Sequence, residues 1–290
     1  MAGKFIINLS FVYPYRIMLS LKTVCAIFIN ITRFTKLLIS YEVGGFFSYY
    51  EKYKLLEKRR LIMAFRLKDV VPWGRNMEEY RSMFLLSEED MKKKIAGFGD
   101  GPASFNFEAH CLGYDVTSYD PIYQFNKKEL KERIEEVRGT VMQQMAENME
   151  NYVWTKIRDL DQLEQIRMDA MRLFLKDFEA GLAEQRYRYH ELPNTLPVAD
   201  HYYDIGLSSH FLLLYTQLGF DFHKKAISEM LRVCKEVRIF PVVNLDARQT
   251  DMISRVIDEF KKNYNVELKE TGYEFQKDAK QMLLIRNNPK

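Results

Sequence analysis

Two hydrophobic periods alternate along residues 76–286, and their order reads as an order of elements. Residues 76–94 carry helical spacing, with Tyr80, Met83, Phe84 and Met91 on one side. Inside that stretch Ser87, followed three residues later by Asp90, marks a fresh helix start. A short buried strand, Ile95-Ala96-Gly97-Phe98, runs into Gly99-Asp100-Gly101-Pro102-Ala103-Ser104. A helix over 105–112 and a strand over 114–119 follow, the strand ending on Asp120-Pro121. Residues 127–186 read as helical throughout: 127–137, 140–156, then 161–185 with Leu163, Ile166, Ala170, Met171, Phe174, Leu175 and Phe178 on one face. A crossover between parallel strands needs only about a dozen residues. The surplus therefore reads as a helical insertion at about 139–187, its apolar stripe packed as core and its position suited to capping a ligand crevice. Strand character returns at 187–189 and 203–208, then helix 222–234, strand 236–243 and helix 250–264. Two last strands, 266–276 and 282–286, are joined so closely that they must pair antiparallel. The pattern predicts an α/β fold, a doubly wound seven-stranded sheet with its last strand reversed.

Composition narrows the class without naming a function. The 290 residues are 47% hydrophobic and 29% charged, which excludes a disordered or low-complexity chain. Three dispersed cysteines, Cys25, Cys111 and Cys234, build neither a disulfide framework nor a zinc site, and point to a reducing, cytoplasmic setting. Cys111 and Cys234 read as small core residues. The net charge of +3 conceals two unlike parts. Residues 1–62 hold ten Lys or Arg against three acids, whereas residues 63–290 are mildly acidic. Within the leader, Lys22, Arg33 and Lys36 interrupt the apolar stretch 17–41, leaving segments far short of the ~20 residues of a membrane span. No small-residue cleavage site follows it. The leader is expected to be poorly structured sequence ahead of a start at Met63; the competing reading is a membrane-surface or partner-binding helix. The body, 63–290, offers no nucleic-acid footprint, and its histidines lack metal-ligand spacing.

Chemistry concentrates at the turn between the first strand and its helix. Glycines at 99 and 101 let the backbone approach a ligand, and the following helix offers unpaired amides. Asp120, about twenty residues on at the tip of the next strand, is placed to accept hydrogen bonds from ribose hydroxyls. Asp100, in the turn, either orients the backbone or reaches the ligand. Ser208, Ser209 and His210 close the fourth predicted strand at the same edge, where an imidazole can act as base or orient a substrate. Arg75, in a Pro-Trp-Gly-Arg turn with Trp73, is suited to a carboxylate. Trp154 reads as core. These residues suit a nucleoside-containing cofactor.

The phrase Gly99-Asp100-Gly101-Pro102-Ala103 resembles the first motif of class I S-adenosylmethionine-dependent methyltransferases. Leu196-Pro197-Val198-Ala199-Asp200-His201-Tyr202-Tyr203-Asp204-Ile205 is similar to that family's approach to its fourth strand, and residues 206–212 to that strand's end. Residues 69–286 more specifically resemble an uncharacterised bacterial group of methyltransferases, through Val70-Val71-Pro72-Trp73-Gly74-Arg75, Glu79-Tyr80-Arg81-Ser82-Met83-Phe84, Gly101-Pro102-Ala103-Ser104-Phe105-Asn106 and Ser209-His210-Phe211. Residues 1–62 take no part. The resemblance implies a Rossmann-like methyltransferase sheet and S-adenosyl-L-methionine as cofactor. It would place the methionine end at Gly99, Asp100, Gly101, Pro102 and Ala103, the ribose at Asp120 beside Pro121, and the adenine near Leu192. Ser208, Ser209 and Arg75 would border the cofactor, and His210 would act in catalysis. Four positions depart from the family pattern: Gly97 replaces the usual acid, Ala103 the third glycine, and Leu192-Pro193 the Asp-Ala beside the adenine. A non-catalytic cofactor-binding or interaction protein is the alternative reading. An NAD(P)-dependent oxidoreductase ranks third, since Pro102 and Ser104 do not suit a dinucleotide motif. The expected acceptor is a small molecule or a protein, no metal is expected, and oligomers could form through the insertion.

Overall fold

The computed structural model describes residues 71–287; the leader, the proposed start at Met63 and Cys25 lie outside the described residues. Helix α1 (Met77–Phe84) opens on a capping box: the Asn76 side chain accepts the Glu79 amide while Glu79 reaches back to the Asn76 amide. A second box, Ser87 with Asp90, starts α2 (Glu88–Met91), as its sequence spacing predicts. Then come β1 (Ile95–Phe98), α3 (Phe105–Cys111) and β2 (Val116–Tyr119). Long helices α4 (Lys127–Glu147) and α5 (Leu160–Ala183) precede the two-residue β3 (Tyr187–Arg188). The chain continues through β4 (Tyr203–Ser209), α6 (Phe220–Val233), β5 (Cys234–Phe240), α7 (Asp251–Lys261), β6 (Tyr264–Glu270) and β7 (Gln281–Asn287).

The seven strands form one sheet in the order β3-β2-β1-β4-β5-β7-β6. Strands β1 to β5 run parallel, and β7 is antiparallel to both β5 and β6. The order reverses between β1 and β4, so a crevice opens at the carboxyl ends of those strands. Each face has its own apolar cluster. One packs α6 and α7 onto Phe98, Val237 and Ile285; the other packs α1 and α3 onto Ile95, Leu207 and Leu284. Arg238, buried on β5, donates to the Phe84 carbonyl at 2.8 Å and pairs with Asp90 at 3.1 Å, so the carbonyl end of α1 is held by the sheet.

Four expectations change. Residues 127–147 form one helix where the sequence reading breaks it at 137, and residue 139, its insertion boundary, lies mid-helix. Gly139 costs such a helix only about 1 kcal/mol, and nothing crowds its Cα. The helix expected to reach 156 instead stops at a 3-10 turn, Met149–Asn151; Tyr152 then bridges Gln276, and Trp154 packs edge-on against Phe275. The strand expected over 266–276 ends at Glu270, because Tyr273 and Phe275 leave the sheet edge to turn inward, each 7% exposed. Cys111 is exposed rather than core, since α3 ends there, whereas Cys234 is buried.

The short edge strand β3 depends on a buried ion pair. Arg186 meets both oxygens of Asp177 on α5, at 2.6 and 2.8 Å, and the Tyr187 hydroxyl donates to the same carboxylate at 3.0 Å. Removing Asp177 leaves Arg186 only the carboxylate of half-exposed Glu184, at 2.7 Å, and takes the acceptor from the buried Tyr187 hydroxyl. Asp177→Ala is expected to lower stability by about 2–3 kcal/mol, measured by urea unfolding; a loss under about 1 kcal/mol, as for an exposed pair, would contradict this.

Candidate functional site

The Gly97 departure has a structural explanation. A Cβ built on Gly97 would lie 1.8 Å from an Asp100 carboxylate oxygen, so the turn folds the Asp100 side chain back over the end of β1. Left-handed φ values at Gly99 (70°) and Gly101 (56°) make that reversal possible. The carboxylate is 7% exposed and accepts the Tyr80 hydroxyl at 2.8 Å and the Ser118 hydroxyl at 2.6 Å. Ser118 in turn accepts from Asn106, whose amide oxygen accepts from Arg186, so the turn is tied through β2 to the edge strand.

Asp120 acts on the turn from the other side. Its Oδ2 accepts the Gly101 amide and its Oδ1 the Ile122 amide, each at 2.8 Å. The Tyr123 hydroxyl donates to the Gly101 carbonyl at 2.8 Å. Gly101 is thus gripped at both ends, while no atom lies within 4 Å of where its Cβ would be. Open space beside a fixed glycine is what a ligand lying against the backbone needs. Other amides of the turn are engaged: Gly99 donates to the Tyr119 carbonyl and Ser104 to the Arg75 carbonyl. The expectation of unpaired amides at the head of α3 therefore fails at Ser104. Burial raises both carboxylates to about 6, against the stabilising hydrogen bonds each accepts, and the Asp100 charge adds to the rise at Asp120.

At the end of β4 the pleat sends successive side chains to opposite faces. The Ser209 hydroxyl faces α1, near the Met83 sulfur, and pairs with His210 Nδ1 at 2.9 Å. Ser208 is fully buried and its hydroxyl has no hydrogen-bond partner among the described residues. His210 takes a left-handed φ of 52°, a conformation tolerated by His and concentrated at functional sites. Its amide is pinned to the Phe240 carbonyl. Burial, then the charges of Arg75 and Arg167, holds its pKa well below the usual value, so the ring is neutral at pH 7. Phe211 lies against Gly99, with ring carbon 2.7 Å from a Cβ built there.

The structure brings Gly99 through Ala103, Asp120, Pro121, Ser208, Ser209 and His210 to one edge of the sheet. Leu192 stands apart from these polar groups, buried in the apolar cluster with Phe98 and Leu212. Arg75 joins a group the sequence reading does not contain: Glu79, Arg167 and Tyr273. The Arg167 guanidinium, 1% exposed, pairs with Glu79, and the Tyr273 hydroxyl donates to the other Glu79 oxygen at 2.8 Å. Arg167 carried one legible signal, a charge between Leu163 and Ala170 on an otherwise apolar stripe. Tyr273 carried none, because its inward turn depends on the strand ending early. Among the described residues no group of three or more His, Cys, Asp or Glu could hold a metal, and no helix is long and apolar enough to cross a membrane.

No family model matches the chain. The uncharacterized protein MJ0045 of Methanocaldococcus jannaschii is 33% identical over 222 residues, spanning 76% of this chain and 97% of its own length. The chain belongs to the family of that archaeal protein. The likeness thus extends to an archaeal relative, where the sequence reading has a bacterial group. Among solved structures, a TehB-like S-adenosylmethionine-dependent methyltransferase from Corynebacterium glutamicum is 14% identical with a TM-score of 0.38, covering 83% of this chain and 99% of that one. One titled a putative S-adenosylmethionine-dependent methyltransferase, from Methanococcus maripaludis, is 13% identical with a TM-score of 0.34, covering 74% and 84%. The magnesium protoporphyrin IX methyltransferase of Synechocystis, solved with S-adenosylmethionine bound, is 12% identical with a TM-score of 0.33, covering 68% and 70%. Likenesses this slight speak to neither activity nor acceptor.

The raised carboxylates set a pH dependence. Asp100 and Asp120 titrate near 6 in the fold, against an ordinary 3.8, so between those values the folded chain holds more protons than the unfolded one. Their contribution to stability is full below about pH 4 and is lost as pH rises through 6. Asp100→Asn is expected to reduce the fall in stability between pH 4 and pH 7 by about 2 kcal/mol, measured by urea unfolding at each pH. Parallel profiles for variant and wild type would contradict it.

Proposed function

We propose that the chain is an S-adenosylmethionine-dependent methyltransferase acting on a small molecule or a protein. The observation that carries this is the Gly101 clamp: a glycine fixed by Asp120 and Tyr123, with open space beside it and a buried carboxylate on each side. The engaged amides of Gly99, Gly101 and Ser104 suit a ligand that lies along the turn. They do not suit a pyrophosphate, which needs a row of free N–H groups. That disfavours the dinucleotide reading. The unpartnered Ser208 hydroxyl supports a polar ligand beside the end of β4.

In this reading Gly99, Asp100, Gly101, Pro102 and Ala103 border the methionine end. Asp120 Oδ1 and Oδ2 each retain a lone pair for the ribose hydroxyls, with Pro121 shaping the same wall and Leu192 the adenine side. The bound cofactor supplies a methyl on a sulfonium sulfur for in-line displacement by a lone pair of the acceptor. His210 keeps Nδ1 on Ser209, which leaves Nε2 of a neutral ring to receive a proton from the acceptor or to hold it in line. The insertion, beginning with α4 rather than at 139, would border the acceptor side of the domain 63–290, within a cytoplasmic protein.

Calorimetry with S-adenosylhomocysteine tests the reading. Wild type should bind, Asp120→Ala should bind at least tenfold more weakly, and the wild-type affinity should fall as pH drops below 6 and the two carboxylates protonate. Absence of binding by the wild type, or full binding by Asp120→Ala with its fold intact by circular dichroism, would overturn it.

A further inference from the structure

The group formed by Arg75, Glu79, Arg167 and Tyr273 has more positive charge than its carboxylate can answer. Both oxygens of Glu79 are occupied: one by Arg167 and the Asn76 amide, the other by the Tyr273 hydroxyl. Arg167 also donates to the Tyr273 hydroxyl, at 3.3 Å. Arg75 stands against the same tyrosine, and the charges of Arg167, Tyr273 and Glu79 all act on it, yet no carboxylate pairs with it among the described residues. Its one hydrogen bond to the main chain goes to the Trp73 carbonyl, at 3.1 Å. A partly buried guanidinium without an anion is costly to hold.

The hydrogen-bonding deficit has the same sign. Arg75 Nε, Arg167 Nε and Trp73 Nε1 are buried and have no acceptor among the described residues. All three atoms can only donate. Arg167 is 1% exposed, so its orphan donor is not a solvent contact. A ligand that satisfied this group would bring acceptor oxygens and negative charge, which is the description of a carboxylate. The elements that build the group are α1 with the segment before it, helix α5 and the loop between β6 and β7, none of which belongs to the β1–α3–β2 unit around Gly101. His210 adjoins this group through Phe240, whose ring centroid lies 5.5 Å from the imidazole and 5.7 Å from the Tyr273 ring, and the charges of both arginines act on it. The group adjoins the glycine turn through the main chain, where the Arg75 carbonyl accepts the Ser104 amide at 3.0 Å, while the Tyr80 hydroxyl between α1 and the turn is committed to Asp100.

We infer that Arg75, with Arg167 and Tyr273 beside it, receives the carboxylate of the methyl acceptor, so that the substrate is a small organic acid held with its nucleophile toward His210. This rests on the methyltransferase reading for the word acceptor, and on the cluster alone for the carboxylate. The arrangement has a chemical consequence. A carboxylate bound there offsets the two positive charges that depress His210, which makes the imidazole a stronger base only when substrate is present.

The test is an NMR titration of the full chain, with and without saturating S-adenosylhomocysteine, using acetate, propionate and benzoate against acetamide, propionamide and benzamide. The signal is the His210 ring C–H resonance, assigned by its loss in His210→Gln. At least one carboxylate should saturate with an affinity tenfold or more above its amide and should raise the His210 pKa. Arg75→Gln, which breaks no ion pair, should abolish the preference while leaving S-adenosylhomocysteine affinity within twofold; Arg75→Lys should restore part of it. Equal response to every acid and amide would overturn the inference. So would an Arg75→Gln variant that binds S-adenosylhomocysteine tenfold more weakly and 5′-methylthioadenosine normally, since the guanidinium would then read the cofactor's own carboxylate. An Arg75-dependent carboxylate response in a chain that binds no S-adenosylhomocysteine would leave the receptor standing and sink the methyltransferase reading.

Discussion

The carboxylate of Asp100 occupies the space that any side chain at position 97 would fill, and the working edge of the sheet is arranged around that fact. A carboxylate there must be hydrogen-bonded, because burial without partners costs several kcal/mol. Tyr80 supplies one donor from α1 and Ser118 the other from β2, so a helix and a strand on either side of β1 are registered on one group. The reversal that delivers Asp100 requires left-handed backbone at Gly99 and Gly101, which places Gly101 where Asp120 can hold its amide. The missing acid at position 97 and the acid at position 100 are therefore one feature. The carboxylate reaches the end of β1 from three residues further along.

Charge is distributed unevenly around this centre. On the β2 side two carboxylates titrate near 6, held up by burial and, at Asp120, by the neighbouring Asp100 charge. On the α5 side two arginines stand near one glutamate, which pairs with Arg167 alone. Between them stands His210, kept neutral by burial and by the arginines. Such a gradient favours a ligand set with a cation toward Asp100 and Asp120 and an anion toward Arg75, with the neutral imidazole at their meeting point.

Most of the fold was legible because it depends on local periodicity. The four residues of β1, the Ser87 cap, the start of β4 at Tyr203 and the paired last strands follow from spacing alone. Errors fell where a tertiary contact outweighs a local preference. Gly139 looks like a break but sits harmlessly in an exposed turn of α4, and residues 271–276 look like strand but are pulled inward by Tyr273 and Phe275. Of the site, the glycine turn and Asp120 were visible as a motif. The cationic cluster was not, because Glu79, Arg167 and Tyr273 lie up to 194 positions apart in the chain and meet only once α1, α5 and the β6–β7 loop are packed.

The most direct measurement is a crystal structure of the chain with S-adenosylhomocysteine. The ribose hydroxyls are expected within hydrogen-bond distance of Asp120, the thioether alongside Gly99–Gly101, and no atom of the ligand on Arg75. Ligand density elsewhere on the sheet, or a homocysteine carboxylate paired with Arg75, would contradict this.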